Sequence, residues 1–120
     1  MLGEKIAKHQ ARVWIVNTGW TGGPYGVGSR MRIAYTRAMI TAALSGQLDK
    51  ASFTKHPIFN VDVPTACPGV PDSVLDPKST WPDPKKYDEQ AKKLAQMFMD
   101  NFKTFEKDVT PSVRDAGPKA

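Results

Sequence analysis

Cysteine, histidine and long apolar runs are what this sequence has least of, and each shortage removes a class of function. The one cysteine, Cys67, allows neither an internal disulfide nor a CxxC zinc pair, so it is expected to be a small packing residue. Of the two histidines, His9 falls where a first short helix should end and its charge suits the helix dipole. His56 precedes Pro57 in a polar connection, has no second ligand at metal spacing, and reads as a loop residue. No apolar run approaches the roughly 20 residues that a bilayer requires. The start, MLGEKIAKHQAR, lacks the apolar centre of a signal peptide, so the expectation is a cytoplasmic setting with no membrane partner. Paired catalytic carboxylates, clustered metal ligands and Ser-His-Asp or Cys-His sets at persuasive spacing are missing too.

Charge excludes little more. Seventeen Lys and Arg against twelve Asp and Glu give +5, scattered along the chain, and the three tryptophans do not interleave with a basic cluster as a single-strand binding platform would. No nucleic-acid partner is expected; a solvated surface with a local phosphate site accounts for the balance. With 120 residues, 40% hydrophobic and 24% charged, the chain supports one domain at most, with a modest core.

What is present is centred on Val13 to Arg37, VWIVNTGWTGGPYGVGSRMRIAYTR. Val13-Trp14-Ile15-Val16 fits a strand buried on both faces, and Gly19, Gly22, Gly23, Gly26 and Gly28 then let the backbone come close to something. In open α/β sheets, ligands sit beyond the carboxyl ends of the strands, where this loop would lie. It imitates a phosphate-binding GxxxxGK[ST] loop without being one: counted from Gly23, Ser29 stands at the lysine position and Arg30 at the hydroxyl position. A tight structural turn and a ligand loop both remain open for it on pattern alone. Arg30, Arg32 and Arg37 are denser than a scaffold needs, and one of them could meet a phosphate or stack on a planar base.

The remaining elements read as scaffold. Leu2, Ile6 and His9 recur at helical spacing, with Glu4 and Lys8 an i,i+4 pair. Residues 30–35 alternate, giving a brief extended piece that enters a helix near Thr36-Arg37. That helix would run to Leu44 with Ile40, Ala43 and Leu44 as its apolar face, stopped by Gly46. Phe59, Val61 and Val63 suggest one half-buried strand closed by Pro64. The Pro-rich crossing after it, through Pro68-Gly69-Val70-Pro71, has few apolar residues and is expected to be loosely held. Asp83 and Pro84 open a helix whose stripe of Tyr87, Ala91, Leu94, Phe98, Phe102 and Phe105 is expected to be core packing. The tail 109–120 has no periodicity and is expected to fray, and there are no internal repeats. Two or three strands and three helices leave too little sheet for a buried parallel strand, so the residues alone indicate part of an α/β nucleotide-type domain.

Motif order adds more. The run VWIVNTGWTGGPYGVGSRMRIAYTRAMITAAL, then PGVPDSVLDPKSTW and YDEQAKKLAQMFMDNF, resembles the C-terminal part of ATP-dependent phosphoenolpyruvate carboxykinase across essentially all 120 residues. NTGW, GVGSRM, YTRA, PGVP and LDP occur in that family's order and spacing. The resemblance implies that residues 1–120 are the C-terminal portion of the P-loop-containing mononucleotide-binding domain, incomplete as an isolated domain. It also implies a gluconeogenic lyase, turning oxaloacetate and ATP into phosphoenolpyruvate, ADP and carbon dioxide with a divalent metal, Mn or Mg. By similarity, Arg30 and the backbone of Met31 contact the adenosine side of ATP, Thr36 hydrogen-bonds the base, and Gly22, Gly23, Gly26 and Gly28 support the loop. The family's phosphate loop, metal ligands and substrate-binding arginine match nothing in this sequence, so none of its residues is expected to be catalytic. The resemblance therefore implies a fragment, with Met1 an internal methionine, inactive alone and needing the remainder of the carboxykinase chain. The alternative is a non-catalytic nucleotide-binding or interaction module derived from that fold. In-frame coding sequence upstream for a phosphate loop would favour the enzyme, and a true stop and promoter the module. Folding of the isolated chain is expected to be marginal, because Phe98, Phe102 and Phe105 need a partner surface.

Overall fold

The computed structural model describes residues 2–119, so the expectation about Met1 and the last residue of the tail, Ala120, lie outside the described residues. In chain order, α1 (Leu2–His9) leads through an irregular segment to a hairpin of β1 (Trp20–Thr21) and β2 (Ser29–Arg30), then α2 (Ile33–Leu44). A second hairpin pairs β3 (Phe53–Lys55) with β4 (Asp62–Pro64). It is followed by α3 (Asp72–Leu75), α4 (Pro84–Phe102) and α5 (Pro111–Asp115), with 3-10 turns at Leu48–Lys50, Pro77–Thr80 and Glu106–Asp108. Both sheets are two-stranded and antiparallel. The architecture is thus helices with small sheets, consistent with a broad α/β class.

The stretch Val13 to Val16 is not a doubly buried strand. Val13 and Ile15 are 62% and 85% exposed, while Trp14 between them turns inward, against the core and 6.0 Å from the Phe53 ring. A parallel strand keeps both faces dry only with neighbours on both edges, and among the described residues no strand pairs with this one. Its alternation is therefore one-sided.

The α2 helix starts three residues before Thr36. Arg32 takes the extended cap conformation and its carbonyl accepts from the N–H groups of Tyr35 and Thr36 at 3.0 and 3.3 Å. At the far end Gly46 adopts φ +73°, its N–H bonding Ala43 O and that of Gln47 bonding Ala42 O, the paired bonds of a Schellman stop. The expected glycine stop holds, but of the expected inward face only Ala43 packs against the core. Ala42 is the buried residue, with Tyr35, Ala38 and Met39 on the same side, whereas Ile40 and Leu44 face out. The small residues win the interior because the Pro-rich segment packs directly on the helix, where a Cβ on Gly69 would stand 3.4 Å from the Ala38 Cβ.

That segment is not loosely held. Cys67 and Val70 bridge across a tight turn and share one buried cluster with Ala42 and Leu48, so two of its residues lie in the centre of the fold. Cys67 is the packing residue expected of it, and burial pushes its thiol pKa up. The expected strand through Phe59, Val61 and Val63 is shorter and later, Asp62–Pro64, with Phe59 in the connecting loop. Its partner, Phe53–Lys55, is registered Thr54 to Val63.

In α4 the Asp83 carboxylate accepts from Lys85 N–H at 2.9 Å with Pro84 in the first turn, as expected. Tyr87, Ala91 and Ala95 are buried, but the aromatic half of the stripe is not core, since Phe98 and Phe105 are about half exposed. The buried line follows the four-residue spacing of the first turns, and on the last ones Phe98 meets only the edge of the Phe59 ring, at 6.5 Å, and stays half exposed. In the 109–119 stretch, α5 forms, and two hydrogen bonds tie the segment to the β3–β4 loop. Lys119 N–H donates to Ile58 O at 2.7 Å and the Asn60 amide to Ala116 O at 3.2 Å. Among the described residues no helix is long and apolar enough to cross a membrane.

Candidate functional site

The glycine loop is the turn of the first hairpin. Trp20 pairs with Arg30 and Thr21 with Ser29, and Met31 N–H extends the ladder to Gly19 O at 2.7 Å. Inside the loop the Pro24 carbonyl accepts from Val27 and Gly28 N–H, both at 3.0 Å, and Tyr25 stands edge-on to Trp20 at 5.1 Å. Two glycines are required by the protein's own packing. A Cβ on Gly28 would collide with Thr21 O and lie 2.6 Å from Gly23 O, and one on Gly22 would lie 2.9 Å from Thr80 O. Thr21 and Thr80 hydroxyls meet at 3.3 Å, fixing the loop to the 3-10 turn before α4. Gly26 faces open space, and Gly23 lies against Val27 and Gly28.

The loop delivers the chain straight into α2, so Arg30, Met31 and Thr36 share one hairpin-to-helix junction. Arg30 is exposed on β2; Met31 and Thr36 are half-buried. Arg30, Arg32 and Arg37 have no acidic partner among the described residues. The first turn of α2 contains no acid, and no side chain caps it. The unpaired N–H groups and the positive end of the helix dipole make the start of α2, flanked by Arg32 at the cap and Arg30 just before it, suited to an anionic group. Arg32 lies 6.0 Å above the Tyr35 ring, which leaves Arg30 and Arg37 the freer of the three.

Two clefts lie elsewhere, and Arg30, Met31 and Thr36 line neither. One, of about 380 Å³, is an apolar groove between the Trp14–Val16 segment and α2 at Ile40 and Leu44, with the Arg12–Asp49 ion pair at its rim. The other, of about 400 Å³, lies between the β3–β4 hairpin, the segment 72–78 and α4. Its wall holds a pair that sequence reasoning missed, His56 Nε2 and the Tyr87 hydroxyl, 2.8 Å apart. Burial is the main cause holding the His56 pKa below its ordinary value, against an opposing pull from Asp76. Burial, then Asp76 and Asp88, push the Tyr87 pKa up. The partners are 31 residues apart, and no local pattern connects them.

Among the described residues no group of three His, Cys, Asp or Glu could hold a metal ion.

A model of the phosphoenolpyruvate carboxykinase family matches residues 1–73. Over 119 residues the chain is 55% identical to a phosphoenolpyruvate carboxykinase (ATP) of Caldanaerobacter subterraneus subsp. tengcongensis, covering 99% of this chain and 23% of that protein. It is 57% identical over 117 residues to phosphoenolpyruvate carboxykinase (ATP) 1 of Moorella thermoacetica, covering 98% and 22%. With the Thermus thermophilus phosphoenolpyruvate carboxykinase (ATP) the identity is 51% over 119 residues, covering 99% and 22%. The chain thus spans less than a quarter of the length of these relatives.

Proposed function

This chain belongs to the ATP-dependent phosphoenolpyruvate carboxykinase family, and from that premise we propose that it supplies the adenosine side of an ATP site. In the complete reaction, oxaloacetate and ATP become phosphoenolpyruvate, ADP and carbon dioxide, in the gluconeogenic direction and in the cytoplasm. Arg30 lies against the adenosine moiety, the backbone of Met31 contacts it, and the Thr36 hydroxyl bonds the base. The phosphates, the divalent metal and oxaloacetate are held by the rest of a carboxykinase, as the C-terminal portion of a P-loop nucleotide-binding domain requires. The exposed apolar groove and the outer face of α4 are where that remainder packs. Alone, the chain forms no phosphoenolpyruvate.

The observation that carries this reading is the junction itself: it gathers Arg30, which has no acidic partner among the described residues and can stack on a planar base, with the half-buried Met31 and Thr36 where β2 passes into α2. Titration of ATP, and separately adenosine, into the isotope-labelled chain tests it. The expected result is saturable movement of the Arg30, Met31 and Thr36 amides with both ligands. Movement confined to other residues, or with inorganic triphosphate alone, would overturn it.

A further inference from the structure

The β3–β4 connection, residues 56–61, is pinned by a histidine ring that uses both nitrogens. His56 Nδ1 accepts from the backbone N–H groups of Ile58 and Phe59, each at 3.2 Å, while Nε2 lies 2.8 Å from the Tyr87 hydroxyl on α4. A nitrogen that accepts two N–H donors carries no proton, so the ring proton is on Nε2 and is donated to Tyr87. Only the neutral ring in this tautomer satisfies all three bonds. In the imidazolium, Nδ1–H would face two other donors.

The same loop is where three parts of the chain meet. Ile58 O accepts from Lys119 N–H, the Asn60 amide donates to Ala116 O, and Phe59 stands edge-on to Phe98 of α4 at 6.5 Å. We propose that His56 is a pH-operated latch: neutral, it locks the 56–61 loop onto α4 and with it the segment 116–119; protonated, it releases both.

The charged and titratable groups around the same cleft are Lys55 from β3, Asp72 from α3, Asp76 and Lys78 from the following turn, and Tyr87 and Asp88 from α4. Lys55 is paired with Asp62 and Lys78 with Asp88, which leaves Asp76 as the main support for an imidazolium. Burial outweighs it and depresses the proton affinity of the latched ring. The released ring takes its proton at about 6.5, before the latched ring does. The latch therefore contributes fully above that pH, and its contribution is lost as pH falls through the lower latched value.

The wild-type chain, His56→Asn and Tyr87→Phe test this by nitrogen-15 spectra of the imidazole and by amide hydrogen exchange corrected for intrinsic rates. Asparagine offers an oxygen near where Nδ1 stood but cannot titrate. Expected are a protonated Nε2 and bare Nδ1 at pH 7.5, and at least a tenfold fall in Lys119 amide protection between pH 7.5 and 5.0. That fall should be absent in His56→Asn, and in Tyr87→Phe protection should already be low at pH 7.5. A protonated Nδ1 at pH 7.5, constant wild-type protection, or the same fall in His56→Asn would overturn the latch. The two wild-type measurements decide the matter if a variant does not fold.

Discussion

The Thr36 hydroxyl is half-buried in the first turn of α2 and has no protein hydrogen-bond partner among the described residues. Valine keeps its shape and removes only that group. If Thr36 bonds the base, Thr36→Val should weaken ATP binding by about fivefold, the worth of one neutral hydrogen bond near 1 kcal/mol. Thermal stability should be unchanged; calorimetric titration beside a melting curve reads both. Gly28 makes the opposite case, since its lack of a side chain serves the fold. With Thr21 and Gly23 backbone atoms already inside contact distance of any Cβ, Gly28→Ala must push the hairpin apart. A loss of about 1–3 kcal/mol in urea unfolding is expected, whether or not ATP is present. At this scale the sequence indicated which residues were unusual, the dense arginines and the glycines. It did not reveal that Gly22 and Gly28 are occupied by Thr80 and Thr21, because both contacts require the folded chain.

Helix boundaries were legible where a local signal sets them. Asp83-Pro84 starts α4 and Gly46 ends α2 through caps that need only neighbouring residues. Asp83→Ala should accordingly cost about 1 kcal/mol, measured as a fall in the urea midpoint with unchanged slope. Strands of two or three residues are too short for alternation to show, which hid β1, β2 and β3. The alternation from Arg30 to Tyr35 pointed to an extended piece, yet β2 ends at Arg30 and the helix begins at Ile33. Which face of α2 turns inward was likewise not legible. Hydrophobicity pointed to Ile40, Ala43 and Leu44, but the Gly69 turn packs against Ala38, so the side that turns inward carries Tyr35, Ala38, Met39 and Ala42, with Ala43 beside them. His56 belongs here too, since its role comes from a helix 31 residues away.

For the molecule as a whole, the unusual property is how much large apolar surface faces outward. Leu44 is 84% exposed, Ile40 43% and Val16 43%, and these three line one groove; Phe98 and Phe105 add a second exposed patch along and beyond α4. Single exposed apolar side chains are ordinary, but contiguous ones mark a surface that meets another. The core cluster, by contrast, is built on Ala42, Leu48, Cys67 and Val70, a small interior for 120 residues. Relatives more than four times as long give the groove an occupant on the proposed reading, the remainder of a carboxykinase. Ile40→Lys with Leu44→Lys then separates folding from assembly. Neither side chain is buried in the isolated chain, so its urea midpoint should correspond to a stability change within about 0.5 kcal/mol per site. Co-expressed with the remaining segment of a carboxykinase relative, the unsubstituted chain should co-purify with it and restore phosphoenolpyruvate formation. The doubly charged variant should lose both, because two lysines would be buried in an apolar contact, and the acid on this chain's side of the groove, Asp49, already binds Arg12. Equal recovery of activity by both chains would show that the groove is not where the remainder packs.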